Sequence, residues 1–214
     1  MTTPTADART AAVVVAAGRG TRYGAPKHRL QLDGVELWRR SVDTLTNAGV
    51  DPIVVVGDVP GGVPGGERRR DSVANGLAAI DGATWVLIHD AARPLVTVGL
   101  VDRVIARLTR GDVDGVVPAV SIPDTVKRVR DGMVIDTLDR RDLVTVQTPQ
   151  GFRLDVLRAA HGTFPGMDAT DDAGLVEANG GRVAIVDGDV DNFKVTFPND
   201  LERAARIVAG SKGT

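Results

Sequence analysis

Four short apolar runs punctuate the first 120 residues, and they limit the possible folds more than any other feature. They are Ala11–Ala16, Ile53–Val56, Trp85–Ile88 and Gly115–Val120. Each is apolar throughout rather than alternating, which is the signature of a strand buried on both faces. Segments with helical spacing separate them. Leu37, Val42, Leu45 and Ala48 form one stripe closed by Gly49; Val73, Leu77 and Ile80 mark a helix over Arg69–Ile80; Leu100–Leu108 is a third, closed by Gly111. Strands alternating with helices imply an α/β protein built on a mostly parallel sheet with helices on both faces. A further helix is expected at Leu154–Ala160, another from near Thr170 to Gly180-Gly181, a strand at Val183–Val186, and a last helix from Pro198 to about Val208. A length of 214 residues suits one domain, here residues 11–209, with residues 1–10 as a loose tail.

The rhythm breaks once. Asp124–Arg130 alternates in character, Asp131-Gly132 is a strong hairpin turn, and Val134–Leu138 follows. This predicts a two-stranded β-arm at about 122–142. An isolated hairpin is marginal in water. The arm is therefore expected to lie on a second copy of the chain, making a homodimer, or else to fold back on its own domain.

The first strand runs into Ala16-Ala17-Gly18-Arg19-Gly20-Thr21-Arg22, with Pro26-Lys27 behind it. Gly18 and Gly20 let backbone N–H groups approach phosphate oxygens with no Cβ in the way. Arg22 offers a planar two-point grip and Lys27 a mobile point charge. The dinucleotide pattern G-x-G-x-x-G does not fit, because the third glycine is one place late, Pro26 interrupts any helix, and no acid follows at the expected distance. The P-loop spacing is absent as well. A triphosphate-binding loop is the functional reading; a tight strand-to-helix turn with incidental cations is the plainer one.

Other polar constellations fall at strand ends, where open α/β sheets bind ligands. Gly65-Gly66-Glu67 leads into a helix bearing Ser72, a place to read a base or ribose, or simply a capped helix start. His89-Asp90-Ala91-Ala92-Arg93 leaves the third strand. Asp90 there can hold a ribose hydroxyl or a magnesium ion, or only cap a turn, and Arg93 can meet a second anion. Thr125, Lys127 and Arg140 lie on the arm, with Thr148 in Gln147-Thr148-Pro149-Gln150, and Lys194 sits in a strand-like apolar stretch, Asp191–Thr196.

Composition excludes several alternatives. With no cysteine, disulfides and thiolate chemistry are out. His28, His89 and His161 have no metal-ligand spacing. A formal net charge of −2 argues against a nucleic-acid binder. No apolar run approaches the roughly 18 residues of a membrane span, and residues 1–10 carry no apolar leader core. A soluble cytoplasmic protein is expected, with neither nucleic acid nor membrane as partner.

Taken together the motifs resemble the 2-C-methyl-D-erythritol 4-phosphate cytidylyltransferase family. The matching residues are Ala16-Ala17-Gly18-x-Gly20-x-Arg22 with Pro26-Lys27, Gly65-Gly66-x-x-Arg69-x-x-Ser72, His89–Pro94, Asp124-Thr125-x-Lys127, Asp139-Arg140, Gln147–Gln150, Thr170-Asp171-Asp172 and Asn192-x-Lys194-x-Thr196. The resemblance implies a Rossmann-like nucleotidylyltransferase fold with a protruding, dimerising arm. It also implies transfer of CMP from CTP to methylerythritol phosphate, with release of pyrophosphate and Mg2+ as cofactor. Carried over by motif, Arg22 and Lys27 stabilise the transition state, with Arg140 and Lys194 completing the catalytic set. Ala16, Ala17, Gly18, Gly20, Gly66, Glu67, Ser72 and Asp90 hold CTP, with Asp90 also near the metal. Arg93, Thr125, Arg140, Thr148 and Lys194 surround the acceptor phosphate, Thr125 and Arg140 reaching across from a partner subunit. The family usually has a longer segment where this chain has Val59–Gly66, so the nucleotide flank is expected to be trimmed. The alternatives are a cytidylyltransferase for another polyol phosphate, such as ribitol 5-phosphate, and a nucleotide-binding module without turnover.

Overall fold

The structure, a computed structural model, describes residues 9–18, 23, 30–167 and 169–211. Its elements in order are β1 (Thr10–Val15), β2 (Gln31–Leu32), β3 (Val35–Glu36), α1 (Leu37–Asn47), β4 (Ile53–Val56), α2 (Arg69–Ala78), β5 (Trp85–Asp90) and α3 (Val98–Leu108). They continue with β6 (Gly115–Ser121), β7 (Val126–Arg130), β8 (Met133–Leu138), a 3-10 turn at Arg140–Asp142, β9 (Val144–Val146), β10 (Gln150–Arg153), α4 (Leu154–Thr163), α5 (Asp172–Ala178), β11 (Val183–Asp187) and α6 (Pro198–Ser211).

The central sheet runs β11-β6-β10-β5-β1-β4. β4, β1 and β5 are parallel to one another, as are β6 and β11. β10 is antiparallel to both of its neighbours. The expected mostly parallel α/β sheet is present, and β10 is an addition to it, because Gln150-Gly151-Phe152-Arg153 carries one large apolar residue and no alternation. Its place is secured by Phe152, fully buried, and by Gly151, where a Cβ would stand 2.8 Å from Val104 of α3.

Alternation along the buried strands explains the layering. Ala11, Val13, Val86 and Ile88 face α2, α4 and α5. Ala12, Val14, Trp85 and Leu87 face α1 and α3. Each fully buried valine or leucine stabilises the fold by about 1.5–3 kcal/mol relative to exposure. α2 lies close on the sheet, since a Cβ on Gly76 would be 2.5 Å from Val13. α2 and α4 also cap each other. Arg158 donates to the Leu77 and Ile80 carbonyls at 2.8 and 2.5 Å. Arg70 donates to those of His161, Phe164 and Met167. That exchange satisfies carbonyls left open at both helix ends and fixes the start of α2.

Several local expectations change. His89 and Asp90 belong to β5 rather than following it. Lys194 lies in irregular chain between β11 and α6, not in a strand; Val195 N–H donates to the Ala92 carbonyl at 2.7 Å. β2 and β3 form a small hairpin turning at Asp33-Gly34, both at positive φ, and it joins α6 around Leu32, Leu37, Val195 and Ala204. β9 and β10 lie on the same side of β6, one after the other, interrupted by Gln147-Thr148-Pro149. The β7–β8 arm forms its own two-stranded sheet around Asp131-Gly132. Met133 (72%), Val134 (60%) and Val129 (55%) stay exposed, so within one chain the arm does not bury its apolar residues.

Candidate active site

β1 leads by α1 to β4 on one side, and β4 leads by α2 to β5 on the other, so strand order reverses at β1. The crevice beyond the carboxyl ends of β1 and β5 is the expected ligand position in such a sheet. Val15 pairs with Asp90 in register. Ala16, Ala17 and Gly18 therefore leave the sheet beside Asp90, and Ala91 N–H donates back to Val15 O at 3.1 Å. The loop after β4 closes from the far side, and a Cβ on Gly65 would be only 2.4 Å from that of Ala17. Gly66 donates its N–H to Ser72 Oγ at 3.0 Å, and Ser72 donates to Arg68 O at 3.3 Å. The Ser72 hydroxyl thus shapes the entry into α2, while Glu67 is exposed at the loop.

Asp90 is the centre of the charged groups. Its Oδ1 accepts from Arg69 Nε at 3.0 Å and its Oδ2 from Lys194 Nζ at 2.6 Å. Arg69 Nη1 donates to Asp172 Oδ2 at 2.7 Å, and Asp172 Oδ1 meets His161 Nε2 at 3.1 Å. Burial by itself would raise the Asp90 carboxyl. The Arg69 and Lys194 cations outweigh it and hold Asp90 well below the usual carboxylate range. Asp172 is lowered in the same way, burial being overcome by Arg69 and His161. Burial works against the Arg69 guanidinium, but the two carboxylates raise it further above its already high ordinary value. All three are charged at neutral pH.

The chain after β9 supports this centre from below. Thr148 Oγ1 accepts from Asp90 N–H at 3.0 Å and pairs with His89 Nδ1 at 3.1 Å. His89 is fully buried, and burial pushes it down to about 4, so it is neutral at pH 7. Thr148 therefore fixes the end of β5, its hydroxyl engaged inside the protein. Asn192 donates to Thr148 O at 2.9 Å, and Gln147 holds both the N–H and the carbonyl of Asp189, at 3.1 and 2.7 Å. Arg93 Nη1 donates to Asn192 O at 2.7 Å. These bonds place Arg93 and the Lys194 segment on the side opposite Ala16–Gly18.

The structure thus groups Ala16, Ala17, Gly18, Gly66, Ser72, Asp90, Arg93, Thr148 and Lys194 around the ends of β1 and β5. It does not bring Thr125 and Arg140 there from the same chain. Arg140 donates to the Ile122 carbonyl at 3.2 Å and to that of Pro123, tying the base of its own arm. Gly20, Arg22 and Lys27 lie outside the described residues. Arg69, Asp172, His161, Gln147 and Asn192 are additions to the residues given roles from sequence. Arg69 is the middle of three consecutive arginines, and no periodicity distinguishes the one that reaches Asp90 from Arg70, which is buried against the end of α4.

A model of the family described as IspD, 2-C-methyl-D-erythritol 4-phosphate cytidylyltransferase, matches residues 10–210. This chain belongs to that family. Among IspD relatives, a 2-C-methyl-D-erythritol 4-phosphate cytidylyltransferase of Rhodococcus jostii is 42% identical, over 92% of this chain and 94% of its own. A bifunctional enzyme IspD/IspF of Rhodospirillum rubrum is 43% identical over 95% of this chain, which spans only 58% of that protein's length. The crystal structure of the cytidylyltransferase from Thermus thermophilus superposes with a TM-score of 0.81 at 34% identity, covering 94% of this chain and 99% of that one. The α/β fold described above is thus shared with that solved relative.

Proposed function

We propose that this protein transfers the CMP moiety of CTP to 2-C-methyl-D-erythritol 4-phosphate, giving 4-CDP-2-C-methyl-D-erythritol and pyrophosphate. The single observation that carries this reading is the set at the switch point of the sheet, where a glycine loop, Asp90 and Lys194 meet, in a chain that matches IspD throughout residues 10–210. A phosphate monoester is largely dianionic at neutral pH, with a second pKa of about 6. One of its oxygens can attack the α-phosphorus of CTP directly, forming the new P–O bond as pyrophosphate leaves. No side chain needs to remove a proton. The protein's tasks are to hold two anions together and to neutralise charge gathering at phosphorus. Ala16, Ala17, Gly18, Gly20, Gly66, Glu67, Ser72 and Asp90 hold the nucleotide. Lys194, Arg93 and Thr148 border the acceptor phosphate, and Arg22 and Lys27 contact the triphosphate.

Among the described residues no three acidic or histidine side chains gather as a metal cage. Asp90 alone therefore suits a hard cation that arrives mostly coordinated by phosphate oxygens and water, as Mg2+ does. Its carboxylate accepts from two cations and retains acceptor capacity. Mg2+ bound with CTP would supply charge neutralisation on the leaving pyrophosphate.

The arm, with Thr125 and Arg140, completes the site of a second copy, and the active species is a homodimer. The exposed apolar residues of β7 and β8 support this. Deleting Lys127–Leu138 is expected to give an inactive monomer by light scattering and pyrophosphate assay; full activity in that variant would remove the arm from the site. We place the reaction in the cytoplasm, within one domain spanning residues 11–209. Among the described residues no helix is long and apolar enough to cross a membrane.

The deciding assay is pyrophosphate release from CTP and Mg2+ with methylerythritol phosphate or ribitol 5-phosphate, tested separately. Release with the first acceptor is expected. Release with ribitol phosphate alone would change the substrate, and CTP binding without release would leave a binding module. Arg22→Ala and Lys27→Ala are each expected to lower kcat by about 10², the scale of one lost electrostatic contact; near-normal turnover would remove that residue from the catalytic set.

A further inference from the structure

Arginine and carboxylate groups frequently meet through two parallel hydrogen bonds, and this protein shows that four times among its described residues, three of them side-on through Nε and Nη2 and one, Arg107 with Asp112, through Nη1 and Nη2 at 2.6 and 3.1 Å. Arg68 grips Asp71 through Nε and Nη2 at 2.9 and 2.8 Å. Arg153 grips Asp155 at 3.2 and 2.7 Å, and Arg141 holds Asp139 with Nε on Oδ1 and Nη2 on Oδ2. Arg69, unlike these but like the exposed pairs Arg9–Asp51 and Arg39–Glu36, makes no fork. It gives Asp90 only Nε, at 3.0 Å. Its Nη2, the nitrogen that would complete the side-on fork, is buried with no hydrogen-bond partner among the described residues. Nη1 is drawn to Asp172 at 2.7 Å. The oxygen a fork would occupy, Asp90 Oδ2, is instead taken by Lys194 Nζ at 2.6 Å.

We infer that Asp172 is a positioning residue: by drawing Arg69 aside, it prevents a two-point clasp of Asp90 and so reserves Asp90 Oδ2 for Lys194. Asp172 has the rigidity for this. Its side chain is 1% exposed, it opens α5 immediately after the capping residue Asp171, and its second oxygen is fixed by His161. The Arg70 clamp on the end of α4 anchors the same neighbourhood. A buried N–H without a partner is costly. An Arg69 freed from Asp172 has every reason to spend Nη2 on Asp90. Lys194, 37% exposed and long, is the partner that gives way. The acceptor phosphate would then meet a lysine that has swung from its place. Asp172 touches neither substrate and acts through Arg69 and Asp90. The inference rests on the cytidylyl-transfer reading only for its kinetic consequence; the side-chain exchange stands apart from it.

The test compares Asp172→Ala with Asp172→Asn. The amide oxygen of the asparagine still accepts from Arg69 Nη1, whereas alanine offers nothing. In crystals of Asp172→Ala, Arg69 Nη2 is expected within about 3.2 Å of Asp90 Oδ2, with Lys194 Nζ displaced, while Asp172→Asn keeps the parent arrangement. In the pyrophosphate assay, kcat of Asp172→Ala is expected to fall 10- to 100-fold with KM for CTP changed less than twofold, and Asp172→Asn to recover most of the loss. Adding Asp172→Ala to Lys194→Ala is expected to cost less than threefold more, because the same contact is already gone. Multiplying losses in the double variant, equal losses in the alanine and asparagine variants, or an undisturbed Lys194–Asp90 pair would each overturn the inference. Should Asp172→Ala fail to fold, Arg69→Lys decides. A lysine cannot fork, so the Lys194–Asp90 pair survives and kcat falls less than fivefold; loss of that pair would overturn the inference too. If the wild type transfers to neither acceptor, the functional reading fails, and the crystal structures alone settle the exchange.

Discussion

Arg69→Met will destabilise the protein by about 3–5 kcal/mol at pH 7, the range for removing one partner of a buried ion pair. Methionine keeps much of the volume, so the loss is electrostatic. Asp90 and Asp172 would then sit with less compensation, Asp172 almost fully buried and Asp90 nearly so. At about 2–4 °C per kcal/mol for a chain of this size, the midpoint should fall by roughly 10 °C. The pH dependence gives a second check. In the wild type both carboxyls lie below their unfolded value, so their stabilisation is complete above that value, near pH 4, and fades as pH falls through the folded pKa values. In Arg69→Met burial dominates at Asp172 and its folded pKa moves above the unfolded one. The variant's deficit is then largest at neutral pH and narrows as pH falls toward about 4, where protonation relieves the stranded charge. Urea titrations at pH 7 and pH 4.5 measure both. A variant within 1 kcal/mol of wild type at pH 7 would show that the Arg69 bridge contributes little.

Why this bridge was hard to foresee from sequence is a matter of distance and direction. The parallel sheet was legible because a strand buried on both faces must be apolar at every position, as Val13-Val14-Val15 and Val86-Leu87-Ile88 are. The arm was legible because Asp131-Gly132 fits a turn at positive φ. Asp90 was legible as a candidate because it ends such a strand beside two small residues and an arginine, whereas Lys194 was singled out through the Asn192-x-Lys194-x-Thr196 match rather than by its own surroundings. The partner itself lies 104 positions away in sequence, and local pattern carries no information about that pairing. β10 was missed for a related reason. Its burial comes from neighbours on both sides, while Gln150 and Arg153 at its ends read as polar chain. Thr148 and Ser72 show a further limit. A hydroxyl in a polar motif can face a ligand or a neighbouring backbone group with the same sequence, and here both are bonded within the protein.

Lys194→Ala should lower kcat for pyrophosphate release by about 10³, with CTP affinity changed only a few-fold. Losing one preorganised donor typically costs 10²–10³, and two circumstances put Lys194 at the upper end. Its ammonium, held on Asp90 at 2.6 Å, is the cation on the proposed acceptor side, so its removal would take away an attraction for the incoming dianion. The same removal leaves the Asp90 charge balanced by Arg69 alone, adding a repulsion where the two phosphates must meet. Lys194→Arg is expected to recover little, since a guanidinium needs more room than an ammonium and would compete for Asp90 with Arg69. The proposed nucleotide side, Ala16–Gly18 and Gly66, by contrast approaches from the opposite side of the crevice. Steady-state kinetics with the acceptor varied, and calorimetry with CTP alone, separate the two contributions. A variant that loses CTP binding and turnover equally would move Lys194 to the nucleotide side of the site, and one with near-normal kcat would leave the acceptor phosphate without its proposed partner.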